Sequence, residues 1–221
     1  MNGKIITYGD QKNQGYLSLP KNKQGPGLIV LQEWWGLVGH IKLVADRYAE
    51  NGFVVLAPDL YNGEKASEPN EAQKLMMELK IDEAGDNIES AVKYLRNSEN
   101  LSTNKVGCIG YCMGGGLSLY MATTGHIDAA VPYYGVLVNV KPDWSKLNCP
   151  ILGHYAEHDG ATEALPEIKK EIEKHRNDSK FYIYENTEHA FFNDERKEVY
   201  NKDAAEKSFN RTIEFLNKSF N

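Results

Sequence analysis

The residues that could do chemistry begin with Cys112, a thiol set among glycines in the stretch Gly110-Tyr111-Cys112-Met113-Gly114. This spacing is typical of a sharp strand-to-helix turn that carries a nucleophile, with sulfur in place of a serine hydroxyl. Because the turn is strained, the positions two residues to either side must lack side chains. A thiol at the start of a helix also meets partial positive charge, which favours the thiolate. The pattern predicts a cysteine nucleophile, with the Met113 amide directed at a developing oxyanion.

Two other interpretations of this stretch stay open at the level of sequence. Cys112 would also fit as a small buried residue whose neighbouring glycines only permit close packing. Cys108 lies within an apolar run and is expected to be plain core. A redox pair of Cys108 and Cys112 is disfavoured, because four residues across a strand-to-turn junction is not a known redox spacing.

A nucleophile of this kind needs a base and a group that orients the base. In such folds the chain order is nucleophile, acid, histidine, with each residue following a strand. Asp159 follows the predicted strand 150–155, whereas its rival Glu157 lies closer to that strand and lacks a following glycine. His189 lies in the loop after the predicted strand 181–184. The remaining histidines are poorer candidates by position: His40, His126, His154, His158 and His175.

Glu33 is a fourth candidate, because it follows a buried apolar strand and precedes two tryptophans and a glycine. The turn after this strand supplies the second oxyanion donor in folds of this type, and the Trp34 amide is our candidate. We expect Trp35 and Tyr134 to contact substrate. A surface glutamate beside core aromatics is the alternative interpretation of Glu33.

The elements that must position these residues alternate between strands and helices. This alternation predicts a mainly parallel sheet covered by helices on both faces, in one domain spanning residues 1–221. Functional groups in such sheets gather at the carboxyl ends of the strands. The predicted strands are an antiparallel hairpin at 3–8 and 14–19, then 27–31, 53–58, 105–110, 129–135, 150–155 and 181–184. The predicted helices are 40–51, 70–80, one from about 82, 117–123, 163–175 and 200–217.

Composition narrows the function classes. The chain has 221 residues and a formal net charge of −6, with no basic stripe, which argues against nucleic-acid binding. No apolar run is long enough for a signal peptide or a bilayer span. Three cysteines without a secretion signal indicate reduced thiols and a cytoplasmic location. The Cys and His spacing does not suggest zinc, so we expect no metal or organic cofactor, and no partner protein is indicated.

At these residues the chain resembles the dienelactone hydrolase (carboxymethylenebutenolidase) family nearly end to end. The motifs are specific together rather than singly. They are the leading hairpin, Leu31-Gln32-Glu33-Trp34-Trp35-Gly36-Leu37 with His40-Ile41, Ala57-Pro58-Asp59-Leu60-Tyr61, Gly107 with Gly110-Tyr111-Cys112-Met113-Gly114-Gly115, Tyr133-Tyr134-Gly135, and Glu188-His189-Ala190-Phe191.

The resemblance implies an α/β-hydrolase fold and a triad of Cys112, His189 and Asp159. It also implies that Glu33 holds the resting thiol away from the histidine until substrate displaces it. The expected activity is hydrolysis of small esters or lactones through an acyl-enzyme. The alternatives are a thioesterase or general carboxylesterase on the same fold, or a non-catalytic ligand-binding or redox-sensing member.

One departure from the family bears on the substrate. Dienelactone-specific members grip a substrate carboxylate with arginines, one of them four residues after the histidine, where this chain has Asn193. No arginine occurs between Arg47 and Arg96, the segment where another is expected. Lys65, Lys74 or Lys80 could supply charge but not a bidentate fork. The resemblance therefore supports the hydrolytic chemistry of the family better than it supports the family's substrate. The sequence leaves the oligomeric state open.

Overall fold

The computed structural model describes residues 2–221, and eight strands in it form one sheet. The strands are β1 (Lys4–Tyr8), β2 (Asn13–Ser18), β3 (Gly25–Leu31), β4 (Val54–Pro58), β5 (Leu101–Tyr111), β6 (Ala129–Tyr133), β7 (Leu152–His158) and β8 (Lys180–Glu188). Their order across the sheet is β1-β2-β4-β3-β5-β6-β7-β8. The hairpin β1–β2 and the pair β2–β4 are antiparallel, and every later pair is parallel. The predicted mainly parallel sheet with an N-terminal hairpin is confirmed.

Helices cover both faces of this sheet. They are α1 (Gly39–Glu50), α2 (Pro69–Glu78), α3 (Ile81–Arg96), α4 (Met113–Met121), α5 (Gly160–Glu163), α6 (Leu165–Glu173) and α7 (Lys202–Phe220), with a single 3-10 turn at Trp144–Lys146. Helices α1 and α7 share one apolar cluster with half of the strand residues, and α3, α4 and α6 share another with the other half. The sheet is therefore buried on both sides, as parallel sheets require.

Strand β3 shows how the sequence builds the two layers. Successive side chains of a strand point to opposite faces. Leu28 and Val30 accordingly pack with the α1 and α7 side, while Ile29 and Leu31 pack with the α3 and α4 side. All four are fully buried, and each contributes about 1.5–3 kcal/mol by leaving water. A central strand thus needs a continuous apolar run. Polar side chains that could take part in a reaction follow the point where that run ends.

Several element boundaries differ from the sequence expectation. Strand β5 begins at Leu101 rather than 105, and β7 and β8 end at His158 and Glu188 rather than 155 and 184. Helix α4 begins at Met113 rather than near 117, because three glycines of poor intrinsic helix propensity form its first turn. The predicted helix 163–175 is divided into α5 and α6, and Pro166 occupies the first turn of α6, where its missing N–H is tolerated. No helix within residues 2–221 has the length and apolar character needed to cross a membrane.

Candidate active site

Cys112 lies at the turn between β5 and α4, in a backbone conformation that L-residues seldom adopt. Its φ is 54° and its ψ is −115°, and it caps the N-terminus of α4. Its amide donates to the Tyr133 carbonyl oxygen at 3.0 Å, and the Gly114 amide donates to the Gln32 carbonyl oxygen at 3.1 Å. These bonds fix the turn against the ends of β6 and β3. The strain is of the kind that costs about 1–3 kcal/mol and persists only where the surroundings impose it.

The glycines around this turn are required by backbone contacts. A Cβ atom on Gly110 would lie 1.8 Å from the Gly114 carbonyl oxygen. A Cβ atom on Gly116 would lie 1.9 Å from the Val136 carbonyl oxygen. Neither distance is possible for real atoms, and the obstructing atoms are backbone. The glycines therefore allow β5, the helix and the chain after β6 to meet at the sulfur.

The register between β7 and β8 brings the acid and the histidine together. His158 and Glu188 are paired across these strands, and the next residue of each is Asp159 and His189. The His189 Nδ1–H donates to Asp159 Oδ2 at 2.8 Å. The other Asp159 oxygen accepts from the Ala161 amide at 2.9 Å, so the carboxylate also caps α5. Its side chain is only 5% exposed.

Glu157, the rival acid, faces elsewhere. Its carboxylate accepts from the Asn186 amide at 2.7 Å, and its side chain is 44% exposed. The structure thus places Asp159, and not Glu157, against His189. Cys112 is itself buried, at 9% exposed, and its sulfur interacts with His189, so the three candidate side chains lie together.

The electrostatics around His189 favour its protonated form. Burial lowers the pKa of this imidazole, but the hydrogen bond to Asp159 and the hydrogen bond and negative charge of Cys112 raise it, giving a pKa of about 10. Since Nδ1 is taken by Asp159, Nε2 is the nitrogen left for the sulfur. The geometry can therefore hold an imidazolium between the Asp159 carboxylate and the Cys112 sulfur near neutral pH.

Glu33 lies at the same edge but is held by other groups. It is 2% exposed, and its Oε2 accepts a hydrogen bond from Asn193 Nδ2 at 2.8 Å. The Tyr134 hydroxyl donates a longer bond of 3.4 Å to Oε1. The arrangement that the resemblance implied, with Glu33 keeping the thiol away from the histidine, differs from this one. Both of its oxygens are already engaged, and Cys112 contributes instead to the raised pKa of His189.

The two candidate oxyanion donors are the backbone amides of Trp34, in the turn after β3, and of Met113, at the start of α4. Met113 is the first residue of α4, where an amide has no partner within the helix. Trp34 is two residues beyond Gln32, whose carbonyl is bonded to the elbow. Within residues 2–221, neither the Trp34 nor the Met113 amide donates a backbone hydrogen bond outside the regular elements.

Aromatic rings form the walls around these groups. Trp34 and Trp35 are in edge-to-face contact with ring centroids 5.2 Å apart, and both are partly exposed. The Tyr134 ring lies 4.9 Å from the His189 ring. Burial, followed by the charges of Glu33 and Cys112, raises the pKa of Tyr134 well above its usual value. Its hydroxyl therefore stays protonated and can only donate to Glu33.

Sequence reasoning missed one hydroxyl at the site. The Tyr61 hydroxyl donates to the Met113 sulfur at 3.2 Å, and the side chain is 6% exposed. Burial, and then the charge of Cys112, raises the pKa of Tyr61. Tyr61 follows the end of β4, so the strand-end rule that located the other candidates applies to it equally.

His154 and Cys108 lie in the core and not among the candidate side chains. His154 is fully buried and lies 2.9 Å from both the Tyr184 and the Thr212 hydroxyl oxygens. Burial, and then the charge of Arg211, lowers its pKa to about 3, so it is a neutral core residue. Cys108 is fully buried, as expected. Across residues 2–221 no group of three or more His, Cys, Asp or Glu side chains is arranged to hold a metal ion.

Comparison with known proteins gives a consistent result. The chain matches the dienelactone hydrolase family over residues 14–220. It is 37% identical over 215 residues to the protein usf of Aquifex pyrophilus and 32% identical over 215 residues to the "Putative carboxymethylenebutenolidase" of Aquifex aeolicus, each match covering 93% of both chains. The solved structure of a "Putative Dienelactone Hydrolase" from Klebsiella pneumoniae has the same fold, with a TM-score of 0.86, 22% identity and 97% of both chains covered. With this sheet, this hairpin and a family match over nearly its whole length, the chain belongs to the dienelactone hydrolase family of α/β-hydrolases, which are carboxylic ester hydrolases.

Proposed function

We propose that this protein hydrolyses small esters or lactones through a thioester acyl-enzyme on Cys112, with His189 as acid and base and Asp159 as its orienting group. The observation that carries the proposal is the position of His189, bonded to Asp159 at 2.8 Å and turned toward the sulfur. Thiolate, imidazolium and carboxylate in that order are the parts that nucleophilic acyl transfer needs. Free thiols are kept reduced in the cytoplasm, which is therefore the proposed location.

Acylation begins from the ion pair of Cys112 and His189. The thiolate attacks the ester carbonyl carbon, a C–S bond forms, and the carbonyl electrons move to the oxygen. The Trp34 and Met113 amides donate to that oxyanion, a contribution of about 3–4 kcal/mol per donor. The C–O bond then breaks, and the His189 imidazolium gives its proton to the leaving oxygen.

Deacylation reverses the roles of the same groups. The neutral His189 imidazole accepts a proton from water as the water attacks the thioester carbonyl. The tetrahedral intermediate collapses, the C–S bond breaks, and the thiolate returns beside the imidazolium. Asp159 holds the ring in one tautomer throughout and stabilises its charged form.

The test of this proposal is a covalent adduct. Mixing the enzyme with a slowly hydrolysed aryl ester and quenching in acid is expected to add one acyl mass, located on the peptide that contains Cys112. The matched control is Cys149→Ala, which removes another buried thiol and should leave the adduct unchanged. An adduct elsewhere, or turnover with none in the pre-steady state, would reject the acyl-enzyme.

The raised pKa of His189 leads to a pH prediction. The imidazolium form is present below a pKa of about 10 and is lost above it, so kcat/KM should stay high to about pH 9 and then fall. The raised pKa of His189 also contributes to the free energy of unfolding. This contribution is fully present below the ordinary histidine pKa and is lost as the pH rises from there to about 10. In Asp159→Asn the alkaline limb should move to lower pH by more than about one unit, since the Asp159 bond and charge raise the pKa.

The measurement is kcat/KM for one neutral ester across this pH range, in the wild type and in Asp159→Asn. The exposed rival serves as the control, and Glu157→Gln should leave the limb in place. Identical alkaline limbs in the wild type and in Asp159→Asn would show that Asp159 does not govern the protonation of His189.

A further inference from the structure

We infer, on the basis of the proposed hydrolase function, that this site selects esters and lactones whose acyl part carries no negative charge, and that Asn193 sets this selectivity. The inference names a substrate class for the site and a specificity residue outside the triad. It depends on how the charges at the edge of the sheet are balanced.

The first step is the unbalanced charge of Glu33. Its two oxygens are bound by an amide and a phenol, both neutral, and the Asn193 side chain that supplies the shorter bond is itself buried. Hydrogen bonds from neutral donors orient a carboxylate but leave its net charge in place. Within residues 2–221 no lysine or arginine forms an ion pair with Glu33. The Glu33 carboxylate therefore has only neutral partners, and no cation among the described residues balances it.

The second step is the sum of charges during the reaction. Asp159 and the His189 imidazolium cancel, which leaves the Cys112 thiolate and Glu33 both negative. A substrate carboxylate would be a third negative charge in a poorly solvated space. Like charges within several ångströms of each other in such surroundings cost enough to lower binding by about tenfold or more.

The third step is that the nearby guanidinium groups are already paired. Arg47 contacts Asp194 at 2.5 Å, beside Asn193, and Asp194 also accepts from His40 at 3.2 Å. Arg196, farther along the same loop, pairs with Glu198 at 2.9 Å. Both arginines therefore form ion pairs with carboxylates of this loop.

The fourth step is the apolar character of the segment that follows β6. The Val136 amide donates to the Cys112 carbonyl oxygen at 3.2 Å, so this segment starts directly beside the nucleophile. Val138, two residues on, is 39% exposed. Val138 and the partly exposed Trp34 and Trp35 thus present apolar surface on the segments that follow β6 and β3. That surface fits a hydrocarbon acyl chain better than a charged one.

The experiment compares two esters of equal length, 4-nitrophenyl pentanoate and 4-nitrophenyl hemiglutarate, which differ in a terminal methyl or carboxylate. The methyl ester of the hemiglutarate is a third probe that controls for polarity. At low ionic strength we expect kcat/KM for both neutral esters to exceed that for the hemiglutarate by about tenfold or more. Added salt should narrow the gap by speeding only the anionic ester.

Variants then test the residues that the inference names. Asn193→Arg should place a cation against Glu33 and shift the neutral-to-anionic ratio toward the hemiglutarate by about tenfold, whereas the uncharged Asn193→Gln should leave the ratio near the wild-type value. If Asn193→Arg does not fold, as judged by circular dichroism, Glu33→Gln decides the matter. Glu33→Gln removes the negative charge of Glu33. Any change in basal rate affects both esters and therefore cancels in the ratio of their kcat/KM values.

The outcomes separate this inference from the proposed function. Equal kcat/KM for the three esters in a wild type whose turnover depends on Cys112 would overturn the selectivity and leave the hydrolase proposal standing. A ratio that does not change in Asn193→Arg or Glu33→Gln would also overturn it. Turnover that survives Cys112→Ala would instead reject the mechanism on which the inference rests.

Discussion

Replacing Cys112 with alanine is expected to lower kcat/KM for a small aryl ester by about 10^4-fold or more while leaving the protein folded. Without its nucleophile, a catalytic triad retains only substrate binding and oxyanion stabilisation. The loss of activity therefore approaches that of removing all three residues. Alanine keeps the Cβ atom and therefore the same strained φ of 54°. The thermal midpoint should accordingly change by only a few degrees, as a partly covered thiol contributes little packing.

Two matched variants make this result interpretable. Cys149→Ala removes a buried thiol that the mechanism does not use, and its kcat/KM should stay close to that of the wild type. Cys112→Ser keeps the shape of the site but supplies a hydroxyl, which cannot form the ion pair with His189 as a thiol does, so it should resemble alanine more than cysteine. Wild-type turnover in Cys112→Ala, measured in steady state with each variant's fold checked, would remove Cys112 from the reaction.

Most of the sheet could be predicted because its signals are local. Central strands such as β3 and β4 are uninterrupted apolar runs, and the run itself is what burial on both faces demands. Helix α1 ends at Glu50, close to the expected 51, because the apolar spacing stops before Gly52. The sequence predicts a start near 117 for α4, later than the observed Met113, because its glycines have poor helix propensity. Those glycines are required by contacts with Val136 and with the ends of β3 and β6. Such contacts are tertiary and carry no local signal.

In the candidate site, too, some residues could be predicted from local signals and others only from tertiary contacts. The sequence indicates Cys112, Asp159 and His189 as candidates because each follows a strand, and parallel strands end at one edge. The partner of Glu33 could not be found, because Asn193 lies 160 residues away and the bond between them depends on how the loop after β8 folds back. Tyr61 follows a strand too, but a tyrosine has several roles in a core, and only its burial and its contact with Met113 reveal it.

Replacing Gly116 with alanine is expected to destabilise the protein by about 3 kcal/mol or more and to reduce activity as well. Two effects oppose each other at this position. Alanine is favoured over glycine within a helix by about 1 kcal/mol. Its Cβ atom would, however, lie 1.9 Å from the Val136 carbonyl oxygen, which is backbone and cannot rotate away. Overpacking of this kind costs about 1–3 kcal/mol and more where the backbone must move, so the steric effect prevails.

The loss should be visible as a thermal midpoint lowered by roughly 6–12 °C, given about 2–4 °C per kcal/mol for a chain of this size. Activity should fall with it, because the Val136 amide that must move is bonded to the Cys112 carbonyl oxygen. Gly160→Ala is the matched control for stability: a Cβ atom there meets nothing within 4 Å, and its midpoint should change little. Equal midpoints for the two variants would mean that the helix can shift away from the sheet, and the elbow would then not depend on close contact at Gly116.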